Sequence, residues 1–356
     1  MRIRRRRKRI PRPAIVCSFS PAVIFAVMKI VPILSAAAVF FAGINMPDGA
    51  KTVIESKPKQ ALTTNLCDTT IELTGQTTEI PTPSQPKDDF DQRDGEIIYK
   101  HYGYQKGDNY IDLLHGQIRN CTKLSNSEVL SAATLKPEFK IEASGEPQVL
   151  IYHTHATESF EPYERSYYDA SYPTRNRDKT QNMVAVGDAI TEELEALGIG
   201  VIHSDELHDY PSYTGSYANS ARTIKATLEK YPSIKVVLDI HRDAIEGGGI
   251  RYAAVTEIDG KNASQVMIIS GCDDGTMDYP NYLQNLRLAS LFQQQIEADY
   301  PGLTRPILFD YRKYNQNLST GGLLFEIGSH GNSLEQSVYT GHLVGKAIGK
   351  ALLTLK

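Results

Sequence analysis

The sequence predicts an α/β catalytic domain, a mostly parallel sheet flanked by helices, preceded by an N-terminal transmembrane helix and a stalk. Three observations predict it. From residue 146 onward, short apolar runs of strand type alternate with longer segments of helical spacing. Several of those apolar runs end abruptly in polar, chemistry-bearing residues, where open α/β sheets place their sites. Before them the chain opens with a basic run, a long apolar run and a polar stretch.

Residues 1–13 form a basic flank, with Arg2, Arg4, Arg5, Arg6, Arg7, Lys8, Arg9 and Arg12. Residues 14–44 are apolar apart from Lys29. About 20 helical residues cross a bilayer core, so this run is long enough for an anchor. Pro21 and Pro32 shorten or kink its helical part to roughly Met28–Ile44. The basic flank belongs on the cytoplasmic side, which places everything after Ile44 outside, with the cell membrane as a partner. A cleaved signal peptide is the rival reading, because Ser35-Ala36-Ala37-Ala38 offers small residues. The length of the apolar run favours the uncleaved anchor.

The formal net charge is −4 over 356 residues, and the basic run leads straight into an apolar span, so neither feature points to nucleic acid. Of the four cysteines, Cys17 sits in the apolar run, while Cys67, Cys121 and Cys272 are widely spaced. That spacing argues against a cysteine zinc module or a disulfide framework, though one disulfide beyond the membrane stays open. Tryptophan is absent and tyrosine abundant, with 20 residues, a composition that suits sugar stacking.

Residues 45–96 read as a flexible stalk, rich in Pro, Thr, Asp and Gln and too poor in large apolar side chains to offset ordering entropy. Residues 97–145 read as a small N-terminal ectodomain region of short strands around Ile97–Tyr99, Tyr110–Leu114 and Gln117–Ile118. The catalytic α/β domain is expected over 146–356. Its strands are expected at Val149–Tyr152, Ile199–His203, Ile234–Ile240, Ile250–Ile258, Gln265–Ser270, Pro306–Asp310 and Gly322–Ile327. Helical spacing marks Thr180–Leu197, Ser216–Tyr231, Tyr279–Tyr300 and Leu334–Leu353.

The first of those strands runs into His153, His155 and Glu158. Continued alternation would put His153 and His155 on one strand face, about 6–7 Å apart. Two imidazoles and a carboxylate at a strand's carboxyl end are the ingredients of a zinc site. The run Ile234–Ile240 ends in His241, Arg242 and Asp243, and the run Gly322–Phe325 ends in Glu326. Parallel strands would bring these to one rim. An acid there is desolvated unless paired, which raises its pKa and suits it to general-base work. The set predicts a catalytic zinc with three protein ligands among His153, His155, Glu158 and His241 and an open position for water. Glu326 is the expected proton carrier and Arg242 an oxyanion stabiliser. Ser159 lacks the context of a serine nucleophile. His203, His208, His330 and His342 are poorer candidates, and the loop holding His203 and His208 is a candidate cleft wall.

The stretches HTHATES, DIHRDA, YNQNLS and LLFEIGSHGN resemble the motifs of the stage II sporulation protein P family. That family is similar in turn to the zinc-dependent N-acetylmuramoyl-L-alanine amidases, which implies an amidase/phosphorylase-like fold. The resemblance runs from about Pro147 to the C-terminus. It implies cleavage of stem peptides from muramic acid in peptidoglycan, with endopeptidase action between stems as a second activity, during engulfment of the forespore. It implies stage II sporulation proteins D and M as partners. It places zinc ligands at His155 and His241, the catalytic acid at Glu326 and the close of the last motif at Asn332, and it suggests substrate contact for Tyr314, Asn315 and Asn332. Those amidases take their second ligand, a Glu, from the start of the first helix. Here that region reads Asp178-Lys179-Thr180-Gln181-Asn182. Glu158 is the substitute, and His153 stands either as a ligand or as a residue that orients one. The alternative from a different class is a non-catalytic wall-binding scaffold that recruits a remodelling complex.

Overall fold

The computed structural model describes residues 90–142 and 144–356. The basic flank, the apolar anchor with its signal-peptide rival, and all of the stalk before Phe90 lie outside the described residues. No helix among the described residues is long and apolar enough to cross a membrane.

In chain order the elements are β1 (Gly95–Lys100), β2 (Tyr110–Asp112), β3 (Gln117–Asn120), α1 (Asn126–Ala133), β4 (Pro147–Tyr152), β5 (Tyr167–Tyr168), α2 (Met183–Ala196), β6 (Gly200–His203), α3 (Ser216–Lys230) and β7 (Val236–Asp243). There follow β8 (Glu246–Gly247), β9 (Ile250–Ile258), β10 (Lys261–Ser264), β11 (Val266–Gly271), α4 (Tyr282–Asp299), β12 (Ile307–Asp310), β13 (Gly322–Ser329) and α5 (Leu334–Leu353).

The main sheet has eight strands in the order β2-β3-β12-β11-β13-β7-β4-β6. The β2–β3 and β11–β13 pairings are antiparallel and the others parallel, so the sheet is mostly parallel, as expected, but mixed. Alternation along its central strands separates two cores. Val149 and Ile151 of β4, Val236, Leu238 and Ile240 of β7, and Leu323, Phe325 and Ile327 of β13 pack into the larger cluster with residues of α2, α4 and α5. Leu150, Tyr152 and Val237 turn the other way and pack with Ile224 of α3. The sheet is therefore covered on both faces. Its α3 face is the one from which Asp239, His241 and Glu326 project, because they share the parity of Val237 and Leu324.

A second sheet was not foreseen. It runs β10-β9-β1-β5, with β8 on β9, and β1 lies parallel to β9 from Glu96↔Ile250 to Lys100↔Ala254. The stretch expected as a separate small region is thus built into the rest. Its β1 sits inside the second sheet, and its β3 extends the main sheet beside β12. It also contains α1, which sequence reading did not find; Ser125 and Glu128 form a capping box at its start.

The later boundaries differ from expectation for local reasons. The α2 helix begins at Met183 because the Asn182 side chain accepts from the Val184 N–H as N-cap. The β7 strand continues through His241, Arg242 and Asp243, paired with β13 up to Asp243↔Ser329, so the polar residues lie on the strand itself.

Candidate metal centre and active site

β4 stops at Tyr152, its last pairing with β7 being Tyr152↔Asp239, and residues 154–157 form a turn. The turn overturns the expectation that His153 and His155 share a strand face. His153 keeps the parity of Ile151 and lies on the α2 side, fully buried. Its Nδ1 is 2.8 Å from the Ile240 carbonyl oxygen and its Nε2 is 2.9 Å from Nε2 of His203. Both nitrogens are thereby engaged, so His153 supports the site and is not free to ligate. The turn swings His155 to the α3 side.

There His155 and His241 meet edge to face, with ring centroids 5.3 Å apart. Glu158 Oε2 lies 3.5 Å from His241 Nδ1 and 3.3 Å from the Arg242 amide that donates to it. Glu326 is the register partner of His241 on the neighbouring strand, so the two sit side by side. The sequence candidates His155, Glu158, His241 and Glu326 are brought together at one place.

The surroundings fix their electrostatics. Burial pulls the His155 imidazole down to about 4. Burial pushes the Glu158 carboxyl up, but the hydrogen bond from His241 and the charges of Arg242 and His241 outweigh it and hold it below the usual carboxylate range. Burial opposes protonation of His241 too, but Asp239, whose Oδ1 is 2.8 Å from Nε2, raises it well above an ordinary imidazole. Glu326 is pushed up to about 8, first by burial and then by Asp243.

Zinc suits this donor set in its chemistry: two imidazoles and a carboxylate. Among the described residues, no three His, Cys, Asp or Glu side chains are drawn tightly enough to hold an ion as they stand. The orphaned atoms nonetheless fall at this place. His155 Nδ1 and Glu326 Oε2 are buried without a hydrogen-bond partner, and His241 Nε2 has only the Asp239 carboxylate, 2.8 Å away. Buried polar atoms left without partners are costly unless a ligand completes them.

Several partners had little signal in the sequence. Asp239 accepts from the Thr154 amide at 2.8 Å and its hydroxyl at 2.7 Å, anchoring the turn to β7 beneath His241. Asp209 accepts from the Thr157 hydroxyl and from Arg175, bracing the same turn from the loop after β6. Tyr213, from that same loop, stacks on His155 with centroids 4.5 Å apart and planes 7° from parallel. Tyr217 meets His155 edge-on and stacks on Tyr314 at 5.3 Å. The polar loop singled out as a cleft wall therefore reaches the site. A stacking tyrosine two residues after Pro211 carries no motif of its own.

Other candidates are placed differently. Arg242 spends its guanidinium on the carbonyls of Ser159, Asp243 and Thr174, so it braces the chain and is not directed at an oxyanion. Asn332 is fully buried and accepts from the Ser329 and Ala254 amides while donating to the Ala254 carbonyl and Gln336. It closes the turn after β13 and has no donor left for a substrate. Tyr314 belongs to the aromatic stack through Tyr217; it and Asn315 are both at positive φ, and Asn315 donates to the Tyr217 carbonyl and Ser220 hydroxyl. His330 lies near the site, 3.2 Å from Glu246. His342 pairs with Glu193 between α5 and α2, away from the chemistry.

The family model for Stage II sporulation protein P (SpoIIP) matches residues 60–349. The protein of that description from Bacillus subtilis (strain 168) is 28% identical over 228 residues, 61% of this chain and 54% of its own length. The chain thus spans about half the length of the curated relative it matches. Among solved structures, the N-acetylmuramoyl-L-alanine amidase AmiC2 of Nostoc punctiforme is 13% identical, with a TM-score of 0.35, over 58% of this chain and 96% of that one. The CwlD amidase from Clostridioides difficile, solved in complex with the GerS lipoprotein, is 12% identical, with a TM-score of 0.36, over 59% of this chain and all of that one. Likeness at that level assigns no activity.

Proposed function

Because the chain belongs to the stage II sporulation protein P family, we propose that it is a zinc-dependent peptidoglycan hydrolase acting in sporulation. Its bond is the amide between muramic acid and L-alanine, with the cross-links between stem peptides as a second bond class. The observation that carries this reading is the meeting of buried His155, His241 and Glu158 with half-buried Glu326, where His155 Nδ1 and Glu326 Oε2 have no hydrogen-bond partner.

His155, His241 and Glu158 would hold the zinc ion. When bound, zinc supplies Lewis acidity, which polarises a carbonyl and lowers the pKa of water at the site. Glu326, with its carboxyl raised to about 8, would in its ionised form accept a proton from the attacking water and return it to the departing amine nitrogen as the carbon–nitrogen bond breaks. Asp239 holds the His241 ring, and Asp209 holds the turn that carries His155. Tyr213, Tyr217 and Tyr314 form an aromatic wall suited to stacking against sugar rings.

In this reading residues 14–44 anchor the chain in the cell membrane with the hydrolase outside, and stage II sporulation proteins D and M are its partners. Digestion of purified peptidoglycan by residues 46–356 tests the chemistry. Free stem peptides and peptide-free glycans, lost with chelator and restored by zinc, are expected. Released acetate in their place would identify a deacetylase. If a catalytically dead variant supports sporulation fully, the scaffold reading replaces this one.

A further inference from the structure

Behind the site, three side chains stand in line. Asp188 Oδ1 is 2.8 Å from His203 Nδ1, His203 Nε2 is 2.9 Å from His153 Nε2, and His153 Nδ1 is 2.8 Å from the Ile240 carbonyl oxygen. Each of the three gaps needs one proton, because the two ends are an acceptor carbonyl and a carboxylate. The carbonyl can only accept, so His153 carries its proton on Nδ1 and accepts at Nε2. His203 fills both of its gaps only as an imidazolium, which burial disfavours and the Asp188 carboxylate favours; as a neutral ring it donates across one of them.

The line ties four elements together: α2 through Asp188, β6 through its last residue His203, β4 through the residue after its end, and β7 through Ile240. The β4–β7 ladder ends at Tyr152↔Asp239, and the His153 ring takes up the next carbonyl in its place. Ile240 directly precedes His241, and His153 stands two residues before His155. The ring is therefore a fixed spacer between the two segments that carry the site's imidazoles.

A second feature points to the same contact. Gly187 lies inside α2, where glycine is disfavoured relative to alanine. A Cβ there would lie 2.5 Å from His203 Nε2 and 2.7 Å from His153 Nε2. The helix can close over the imidazole pair only because residue 187 has no side chain.

We propose that His203, held by Asp188 and covered by Gly187, is a positioning residue that locks the His153 ring and through it the spacing of His155 and His241. The proposal rests on the zinc reading for its functional consequence and not for its geometry, so two measurements on the full-length chain separate them. In the metal-free protein with 15N-labelled histidine, His153 is expected as the Nδ1–H tautomer with a slowly exchanging ring proton. Its slow exchange is lost in His203→Leu and Gly187→Ala and retained in His203→Gln, whose amide still donates. Finding His153 as the Nε2–H tautomer, or unchanged in His203→Leu, overturns the proposal whether or not zinc binds.

In chelator competition, His203→Leu and Gly187→Ala are expected to weaken zinc about 10- to 100-fold, the usual effect of losing a residue that orients a ligand. His203→Gln should stay near the parent. Unchanged affinity in His203→Leu and Gly187→Ala, with the parent binding zinc, overturns the positioning role and leaves the zinc reading standing. A parent that binds no zinc fails that reading, and the tautomer measurement then decides the lock alone.

Discussion

Glu326 is the residue on which the proposed chemistry turns, and two measurements isolate it. Glu326→Gln removes the proton acceptor and keeps the shape. Turnover of peptidoglycan should fall by about 10²- to 10⁴-fold, the usual contribution of a general base. Zinc content should stay unchanged, because none of the proposed ligands is altered; loss of metal together with activity would place Glu326 among the ligands instead. The second measurement is stability against pH without metal. The Glu326 carboxyl is raised from 4.5 to about 8 by burial and by Asp243. Between those values the folded state holds a proton that the unfolded state has released, so stability falls as pH rises through the interval. The difference in denaturation midpoint between parent and Glu326→Gln should therefore widen in favour of the variant from pH 5 to pH 8, and a constant difference would refute the raised carboxyl. His153 and His330, both pulled down to about 3 chiefly by burial, act in the opposite sense. The unfolded chain takes up their protons first, so stability is lost as pH falls below about 6.5. At this scale the sequence was most informative where a polar residue follows an apolar run, as with His155, His241 and Glu326. It misled where identity does not reveal direction. Arg242 and Asn332 look like site residues in a motif, yet their polar groups are used to hold the backbone.

At the scale of elements, the contact between α2 and α5 holds the helical layer behind the site. Gly341, Gly345 and Gly349 recur every fourth residue along α5, on one face of the helix. A Cβ at Gly345 would meet Glu193 Cβ at 2.8 Å and the Ile190 carbonyl oxygen at 2.9 Å, both on α2. The glycines let the two backbones approach, and α2 carries Asp188 and Gly187 against the imidazole pair. Gly345→Val should therefore destabilise the fold by roughly 1–3 kcal/mol, the usual cost of overpacking, read as a lowered denaturation midpoint. An unchanged midpoint would show that the helices shift apart freely. Helical periodicity located α5 to the residue and α3 to within one, because long amphipathic segments report their own period. It did not find α1, whose eight residues bury only Val129, Ala132 and Ala133. Nor did it find β5, β8 or β10, which are two to four residues long and owe their existence to the strands beside them.

For the molecule as a whole, the order of strands in space is not the order in sequence, and no local pattern could show it. β1 joins a sheet with β9, some 150 residues later, and β3 extends the main sheet beside β12. Apolar alternation announces a strand and one buried face, but not which other strand lies beside it. This is why residues 97–145 read as a separate region, although their side chains complete the common core. Ile118, Val129, Ala132, Ala133 and Ile141 all belong to the cluster formed by β7, β13, α4 and α5. Ile97 packs with Ala253 and Val255 under the second sheet. A fragment of residues 146–356 would lose those contacts and leave one edge of β9 and one edge of β12 unpaired, the condition that favours aggregation. Residues 90–356 should unfold in one cooperative transition, whereas residues 146–356 should aggregate or melt without a sharp transition. Ile118→Ala is the milder form of the same test. Its side chain is fully buried, so truncation should cost about 2–5 kcal/mol without breaking the chain. Cooperative unfolding of 146–356 at the midpoint of the longer chain would show that this later α/β core is self-sufficient and that the preceding strands are an addition to it.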